Sequence, residues 1–423
     1  MLKTVALVLF VLMYVLMIVK PKYRPFYALG TGAVFLAAGI LPVGKVLGTI
    51  NWNVLMMIAG TMILVDYFIR SKMPNLLAEI LLEKSRNVMW VTIYMSLFSG
   101  LISAFIDNVA TVLMVAPVGI AICRKLKINP VGMILSIAVS SNLQGAATLV
   151  GDTTSIMLGD YANMTFLDFF WMKGRPGIFF AVELGAVATV PIMMYLFRKD
   201  RAPVTNRGRT KVEDFLPTWM LLGMVLALIV ASFIPGTPDT INGIICCTLA
   251  AAMVVTDLVR GKAAGRLRET VKGMDWETLM LLTGLFVVIG GITEVGIIND
   301  ISGLITKLGG GNVFLLYTIV VWGSVLISAF VDNIPYVATM LPVLSAVTAS
   351  MGMEPYLLYF GLLTGATLGG NITPIGASAN IAGVGLLKKE GYEVSFGQFM
   401  RIGVPYTLTA VLVGYIYLWV VWR

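Results

Sequence analysis

Long apolar runs recur along the whole chain, and few of their positions carry a charge. Several runs reach the ~20 residues that an α-helix needs to cross ~30 Å of hydrocarbon, and the shorter ones come close. The runs cover residues 5–19, 26–41, 52–69, 178–196, 216–233, 241–255, 279–292 and 402–419. This pattern predicts an all-α polytopic membrane protein.

Two further apolar stretches contain an acidic residue and an amide near their middle. They read ISAFIDNVATVLMVAPV at 102–118 and ISAFVDNIPYVATMLPV at 327–343, and they align at an offset of 225 residues. The offset persists downstream, where Thr148 and Gly151 correspond to Thr373 and Gly376. Such a constant spacing over about a hundred residues indicates that the chain contains two copies of one unit.

The basic residues predict how the copies lie in the membrane. When the apolar runs are taken as alternate crossings, 24 of the 30 Lys and Arg residues fall on one side, which is the cytoplasmic side by the positive-inside rule. The sorting holds only if residues 88–123 and 312–350 enter the membrane and return to the side from which they came. We therefore predict two re-entrant helical hairpins, opening to opposite sides, and external N and C termini.

The predicted organisation is a pair of inverted-topology repeats joined by a basic cytoplasmic loop. The first repeat covers 1–197, the linker 198–215 and the second repeat 216–423. Each repeat holds one hairpin and one discontinuous transmembrane helix, at 131–158 and 356–387. Inverted repeats with interrupted helices that meet near mid-membrane are typical of secondary transporters.

The interrupted helices are rich in small and polar residues, which a lipid-facing helix cannot sustain at that depth. Free backbone groups and side-chain oxygens there suit a small polar solute or Na⁺. The candidate substrate-binding residues are Asn142, Thr148, Gly151 and Thr153 in the first repeat, and Gly370, Asn371, Thr373, Gly376, Ser378 and Asn380 in the second.

The acidic residues at the two hairpin tips are the candidate coupling sites for protons or cations. An aspartate at membrane depth costs ~2.5–3.5 kcal/mol, so it is rarely incidental. The candidates are Asp107 with Asn108, Asp332 with Asn333, and Asp152, which has Ala377 as its counterpart. The alternative is that Asp107 and Asp332 only cap the second arm of each hairpin by accepting its N–H groups.

Composition excludes most other classes of function. The chain has 423 residues, of which 58% are hydrophobic and 12% charged, whereas a soluble domain is about one quarter charged. It has no histidine, no nucleotide-binding loop and no paired metal ligands, so we expect neither an enzyme nor a resident cofactor or fixed metal, apart from Na⁺ at the hairpin tips. The net charge of +8 sits in loops and does not indicate nucleic-acid binding.

Four motifs resemble the ion transporter superfamily, in particular its branch of arsenite permeases, NhaD-type antiporters and the melanosomal P protein. The motifs are AFIDNVATVLMVAPV (104–118), NLQGAATLVGDTTSIML (142–158), DNIPYVATMLPV (332–343) and GATLGGNITPIGASANIAG (365–383). A more distant resemblance is to the citrate and dicarboxylate carriers. The resemblance implies a homodimer with a scaffold and a mobile transport domain that moves by an elevator mechanism.

These observations lead to a hypothesis with open alternatives. We expect a secondary transporter of the inner membrane, driven by H⁺ or Na⁺, that exports arsenite, antimonite or a similar small inorganic solute. If the solute is arsenite, an ATPase subunit is a candidate partner. The alternatives are Na⁺/H⁺ antiport, sodium-coupled transport of an anion or dicarboxylate, and a channel or non-transporting membrane subunit. Two tip carboxylates would repel a dianion unless they are protonated or paired with cations, which disfavours citrate.

Overall fold

The structure is a computed structural model that describes residues 2–203, 210–261 and 263–423. Within these ranges the chain is predominantly helical. The helices of the first half are α1 (Leu2–Val19), α2 (Arg24–Ala37), α3 (Val46–Thr49), α4 (Trp52–Arg70), α5 (Met73–Glu83), α6 (Val88–Ser103), α7 (Asn108–Leu126), α8 (Val131–Gly145), α9 (Thr153–Tyr161) and α10 (Ile178–Leu196). The second half contains α11 (Leu216–Ala231), α12 (Ile241–Val259), α13 (Ala263–Gly273), α14 (Trp276–Glu294), α15 (Ile297–Gly309), α16 (Val313–Ser328), α17 (Asn333–Met351), α18 (Tyr356–Gly369), α19 (Ser378–Lys389) and α20 (Phe396–Trp422).

Short elements complete this framework. Single 3-10 turns lie at Pro21–Tyr23, Val43–Lys45, Leu167–Phe169 and Gly370–Ile372. The strands β1 (Trp171–Met172) and β2 (Arg175–Pro176) pair antiparallel as a two-residue ribbon between α9 and α10. This ribbon does not change the class, and the predicted all-α polytopic fold is confirmed.

Eight described helices are long and apolar enough to cross a bilayer, namely α1, α4, α7, α10, α12, α14, α17 and α20. A ninth span would result if α15 and α16 were counted together, but the two are bent by 118° at their junction. Helices α6 and α16 have 16 residues each. At 1.5 Å per residue they extend only ~24 Å, which is less than the thickness of the hydrocarbon core.

The described helices of the two halves follow the same order, ten in each half, and the halves pack against each other. Helix α2 packs on α14, α4 on α12 and α10 on α20, while α6 packs on α8 and α16 on α18. Corresponding helices also start in the same way. The side chain of Asn51 caps α4 by accepting from Val54 N at 3.1 Å, and that of Asp275 caps α14 by accepting from Thr278 N at 3.0 Å.

The linker predicted at 198–215 is described only in part, because residues 204–209 lie outside the described ranges. The first residues of the linker accept hydrogen bonds from the first residues of α6. The Met89 N–H donates to Asp200 O at 2.8 Å, and the Val88 N–H donates to Ala202 O at 3.1 Å. The loop that connects the halves is thus attached to the first arm of a helix pair that carries site residues.

Candidate functional site

Asp107 and Asp332 each lie at the tip of a pair of consecutive helices. We call α6 and α7 the first hairpin, with its tip at 104–107, and α16 and α17 the second hairpin, with its tip at 329–332. Asp107 Oδ1 accepts from Val109 N at 3.0 Å and Ala110 N at 3.1 Å. Asp332 Oδ1 accepts from Ile334 N at 3.1 Å. Both aspartates therefore cap the second arm of their hairpin, where the free N–H groups and the helix dipole favour a carboxylate.

The asparagines that follow these caps turn inward and approach a third carboxylate. Asn108 and Asn333 are buried, with 5% and 3% of their surfaces exposed. Asn108 Nδ2 lies 3.4 Å from Asp152 Oδ1, and Asn333 Nδ2 lies 3.5 Å from Asp152 Oδ2. The two Asp-Asn motifs therefore converge on one point, through their amides rather than through their acids.

Asp152 ends the irregular segment 146–152 between α8 and α9, which we call the first break. Thr154 Oγ1 donates to Asp152 Oδ2 at 2.8 Å, and a bond of 2.9 Å joins the hydroxyls of Thr154 and Thr367. Asp152 is 2% exposed, and its neighbours are amides and hydroxyls. Among the described residues, no ion pair includes Asp152.

Asn142 on α8 joins the two halves across the site. Its Oδ1 accepts from Asn108 Nδ2 at 2.8 Å, and its Nδ2 donates to Thr367 O at 2.7 Å and to Asn371 Oδ1 at 3.1 Å. Asn371 Nδ2 in turn donates to Val139 O at 2.9 Å. We call these residues the central cluster: Asn108, Asn142, Asp152, Thr154, Asn333, Thr367 and Asn371.

Thr148 and Thr373 tie each break to the tip of its own hairpin. The Thr148 hydroxyl donates to Ala104 O, and the Thr373 hydroxyl donates to Ala329 O, so the two contacts correspond between the halves. The second break, 370–377, lies between α18 and α19. These bonds satisfy carbonyl groups that the ends of α6 and α16 leave free.

Gly151 and Gly376 permit the close contact between break and tip. A Cβ atom at Gly151 would lie 2.5 Å from Gly145 O and 2.6 Å from Ser103 O. A Cβ atom at Gly376 would lie 2.5 Å from Gly370 O and 2.7 Å from Ser328 O. Only glycine fits at these positions, and the reason is packing rather than an unusual φ.

The remaining predicted residues surround the cluster without all joining it. Asn380 Nδ2 donates to Gly370 O at 3.1 Å and to Thr373 O at 3.2 Å, so it stabilises the second break. Ser378 Oγ donates to Asp332 Oδ2 at 3.1 Å. Thr153, the first residue of α9, is buried beside Asp152.

Four residues that take part in the site are not among the residues predicted from the sequence. Thr154 lies in the polar run next to Asp152, and Ser141 Oγ donates to Asn108 O at 3.0 Å. Thr367 belongs to α18 and is fully buried. Arg24, which enters the sequence analysis only through the count of basic residues, donates from Nη1 to Asp332 Oδ2 at 2.7 Å.

Two cavities flank the site, and corresponding positions line them. The Asp107 cavity, of about 220 Å³, lies between α4, the first hairpin and the end of α13 with residues 274–275. The Glu294 cavity, of about 330 Å³, lies between α14, α17 and the start of α4. On α4 the lining includes Met62, Val65, Asp66 and Ile69, and on α14 it includes Phe286, Ile289, Gly290 and Thr293, each 224 positions later. The cavities are thus counterparts in the two halves.

Comparison with known proteins agrees with this architecture. The profile described as "Citrate transporter" (CitMHS) matches residues 14–365. An uncharacterized transporter of Mycobacterium tuberculosis is 32% identical over 378 residues, which cover 88% of this chain and 86% of that protein. The human P protein is 24% identical over 505 residues, which cover 98% of this chain but 59% of that longer protein.

Solved structures share the fold at low identity. The YdaH transporter of Alcanivorax borkumensis aligns with a TM-score of 0.61 and 15% identity, over 96% of this chain and 97% of that one. MtrF of Neisseria gonorrhoeae aligns with a TM-score of 0.55 and 16% identity, over 88% of this chain and 80% of that one. The resemblance to the ion transporter superfamily is confirmed. The protein belongs to the citrate transporter family (CitMHS) of that superfamily, and it is a secondary transporter rather than an enzyme.

Proposed function

We propose that transport is coupled to H⁺ or Na⁺, and that the coupling cation binds to Asp152, which the N–H groups of Asn108 and Asn333 hold in position. The observation that carries the proposal is a buried carboxylate approached by one amide from each hairpin, at 3.4 Å and 3.5 Å, with no described basic side chain against it. A buried unpaired charge is costly, so such a carboxylate is stable only with a proton or a cation. Amide, hydroxyl and carboxylate oxygens are ligands that Na⁺ also accepts.

Asp107 and Asp332 take part in this scheme as caps and as secondary cation sites. Asp332 is already neutralised by Arg24, and Asp107 lines the Asp107 cavity. Asp152 is buried and has no ion pair among the described residues, and it is therefore the primary coupling residue. The cap and the coupling role are compatible, because capping engages only Oδ1 of either tip aspartate.

Access alternates by an elevator-type movement of the hairpins and breaks along α4 and α14. In support, the Asp107 cavity touches the first hairpin near its tip, at 107, 109, 110 and 113. The Glu294 cavity touches the second hairpin at 338, 341 and 342, which correspond to 113, 116 and 117. The two registers differ by five to six residues, or ~8 Å along a helix. In the opposite state, the first hairpin would contact its cavity at the positions that the second hairpin now uses, and the second hairpin at those of the first. Between inverted repeats, this exchange would give the state open to the other side.

The substrate we propose is arsenite, antimonite or a similar small inorganic solute, exported in exchange for protons. Arsenite is a neutral hydroxide at pH 7, and the amides and hydroxyls of the central cluster suit a neutral hydroxylated solute. A neutral solute also avoids repulsion by Asp152. Binding between the breaks would involve Asn142, Asn371 and Thr373, with Gly370 providing backbone.

Two other substrates have specific support. Na⁺/H⁺ antiport is favoured by the buried carboxylate of Asp152, because the transported cation itself would bind there. Citrate is favoured by the description of the matching family. Because Asp107, Asp152 and Asp332 are all acidic, a citrate anion would have to enter protonated or paired with cations.

The assembly we propose is a homodimer in the inner membrane, with external termini and inverted repeats at 1–197 and 216–423. The test of the proposed function is flux in proteoliposomes under imposed gradients of H⁺ and Na⁺, with arsenite, citrate and ²²Na⁺ as tracers. Gradient-driven uptake that a protonophore or sodium ionophore abolishes supports coupling. Equal uptake with and without any gradient would contradict it.

A further inference from the structure

The two tip aspartates have different electrostatic partners. Arg24, the first residue of α2, donates from Nη1 to Asp332 Oδ2 at 2.7 Å, and the side chains are 13% and 3% exposed. Asp107 has no ion pair among the described residues and lines a cavity whose lining contains no Lys or Arg. A charge-assisted bond in such a buried place is strong, and loss of one partner leaves a costly unpaired charge.

The caps of the two hairpins differ by one hydrogen bond. Asp107 accepts from two N–H groups, those of Val109 and Ala110. In the second hairpin Pro335 takes the place of Ala110, and proline has no N–H, so Asp332 accepts only from Ile334 N. Oδ2 takes no part in either cap, and at Asp332 it accepts from Arg24 Nη1 and from Ser378 Oγ, the latter at 3.1 Å.

We propose that Arg24 is a tethered counter-ion that competes with the coupling cation for Asp332. The contact of the second hairpin with α2 and cation binding at Asp332 would then exclude each other. This inference rests on the proposed function, because it holds that Arg24 neutralises Asp332 in the present state, before a coupling cation binds there. Arg24 is a positioning residue, since it acts on the cation only through Asp332.

The competition follows from the geometry of Asp332 Oδ2. That oxygen accepts from the Arg24 guanidinium and from the Ser378 hydroxyl, and a cation that used the same oxygen and hydroxyl would have to displace the guanidinium. If the registers at the two cavities exchange, the second tip moves ~8 Å along α14, and Asp332 leaves Arg24. The carboxylate then needs a monovalent cation, H⁺ or Na⁺, in place of the guanidinium.

Other groups around Asp332 define the control. Among the described residues, the charged groups that it faces are Arg24 from α2 and Asp152 from the first break. Tyr14 on α1 supports the same contact without charge: its hydroxyl bonds to Pro335 O and to Thr339 Oγ1, each at 2.7 Å. Tyr14→Phe thus loosens the second hairpin from the scaffold but leaves the competition for Asp332 intact.

The test is thermal unfolding of the purified full-length protein, with NaCl exchanged for choline chloride at constant ionic strength and with pH varied. Wild type, Arg24→Gln, Arg24→Gln/Asp332→Asn and Tyr14→Phe are compared. We expect Arg24→Gln to lower the unfolding temperature in choline at high pH and to regain most of that loss with Na⁺ or at low pH. The double variant and Tyr14→Phe should respond to cations as wild type does.

Equal destabilisation of Arg24→Gln in every ion and at every pH would overturn the proposal and leave the pair as a plain structural contact. If Arg24→Gln yields no folded protein in choline chloride, its preparation in NaCl decides: recovery of folding in NaCl supports the proposal, and failure in both salts while the double variant folds overturns it. The measurement reports binding and not flux. A cation response in a protein that moves no solute would therefore contradict the proposed function alone.

Discussion

Asn108 and Asn333, which are 225 positions apart in the chain, approach opposite oxygens of the same carboxylate. Asn108 Nδ2 lies 3.4 Å from Asp152 Oδ1, and Asn333 Nδ2 lies 3.5 Å from Asp152 Oδ2. The two amides come from corresponding positions in the two halves, whereas the acid comes from the first half only. Corresponding amides of the two halves thus surround a single carboxylate, which has no acidic counterpart in the second half.

The contact between break and tip leads to a prediction about folding. Gly151→Ala and Gly376→Ala should each destabilise the protein by ~1–3 kcal/mol or more, because the new Cβ would lie 2.5 Å from a backbone carbonyl oxygen. Chemical denaturation followed by tryptophan fluorescence measures the loss.

Gly385→Ala is the matched control for these variants. Gly385 lies in α19 with no atom within 4 Å of an added Cβ, so alanine should be neutral or stabilising by up to ~1 kcal/mol. Equal stability of Gly151→Ala and Gly385→Ala would contradict the close packing of the first break on the first hairpin.

Asn142 is predicted to be essential to the join between the halves. Asn142→Ala leaves the donor of Asn108 and the acceptors Thr367 O and Asn371 Oδ1 without their partner. Each unsatisfied buried group costs roughly 1–3 kcal/mol, so the variant should unfold at a clearly lower temperature and lose transport. Asn299→Ala, at an exposed position of α15, is the control and should behave as wild type.

The register difference between the cavities predicts a state-dependent cross-link. Val65 and Val109 line the Asp107 cavity together, so cysteines at both positions should be joined by a short bifunctional thiol reagent in the present state. Their counterparts are Ile289 and Ile334. Cysteines at this second pair should react only when the hairpins have moved along α14.

These cross-links are measured in a background without Cys123, Cys246 and Cys247, under opposite gradients of the coupling cation. Reciprocal yields for the two pairs support alternation between mirror-related states. Simultaneous cross-linking of both pairs in one molecule would exclude the exchange of registers, because one hairpin unit cannot occupy both positions.

Much of the frame could be predicted from the sequence because the repeat is visible in the sequence itself. The apolar runs predict helices where the chain has them, and the shared ISAF and Asp-Asn patterns predict that 102–118 and 327–343 correspond. Thr148 and Thr373, which correspond in the repeat, make matching bonds to Ala104 O and Ala329 O. A sequence pattern is sufficient to predict a contact where the residues involved lie within one half of the chain and recur in the other.

The centre of the site could not be predicted in the same way. Asp107 and Asp332 are predicted as the central residues because they are charged residues in apolar segments. Their side chains instead accept from the N–H groups of their own helices. The residues that converge are the neutral amides that follow them. Arg24 meets Asp332 across 308 positions, and no local pattern reports such a contact.

The most direct test of the account is gradient-driven flux through Asp152→Asn in proteoliposomes, measured beside wild type and Asp300→Asn. Asp300 is an exposed carboxylate paired with Lys3 and serves as the matched control. We predict that Asp152→Asn remains folded, because the new amide keeps the shape of the side chain and removes a buried charge, but that it no longer couples solute movement to H⁺ or Na⁺. Wild-type coupled flux in Asp152→Asn would contradict the account.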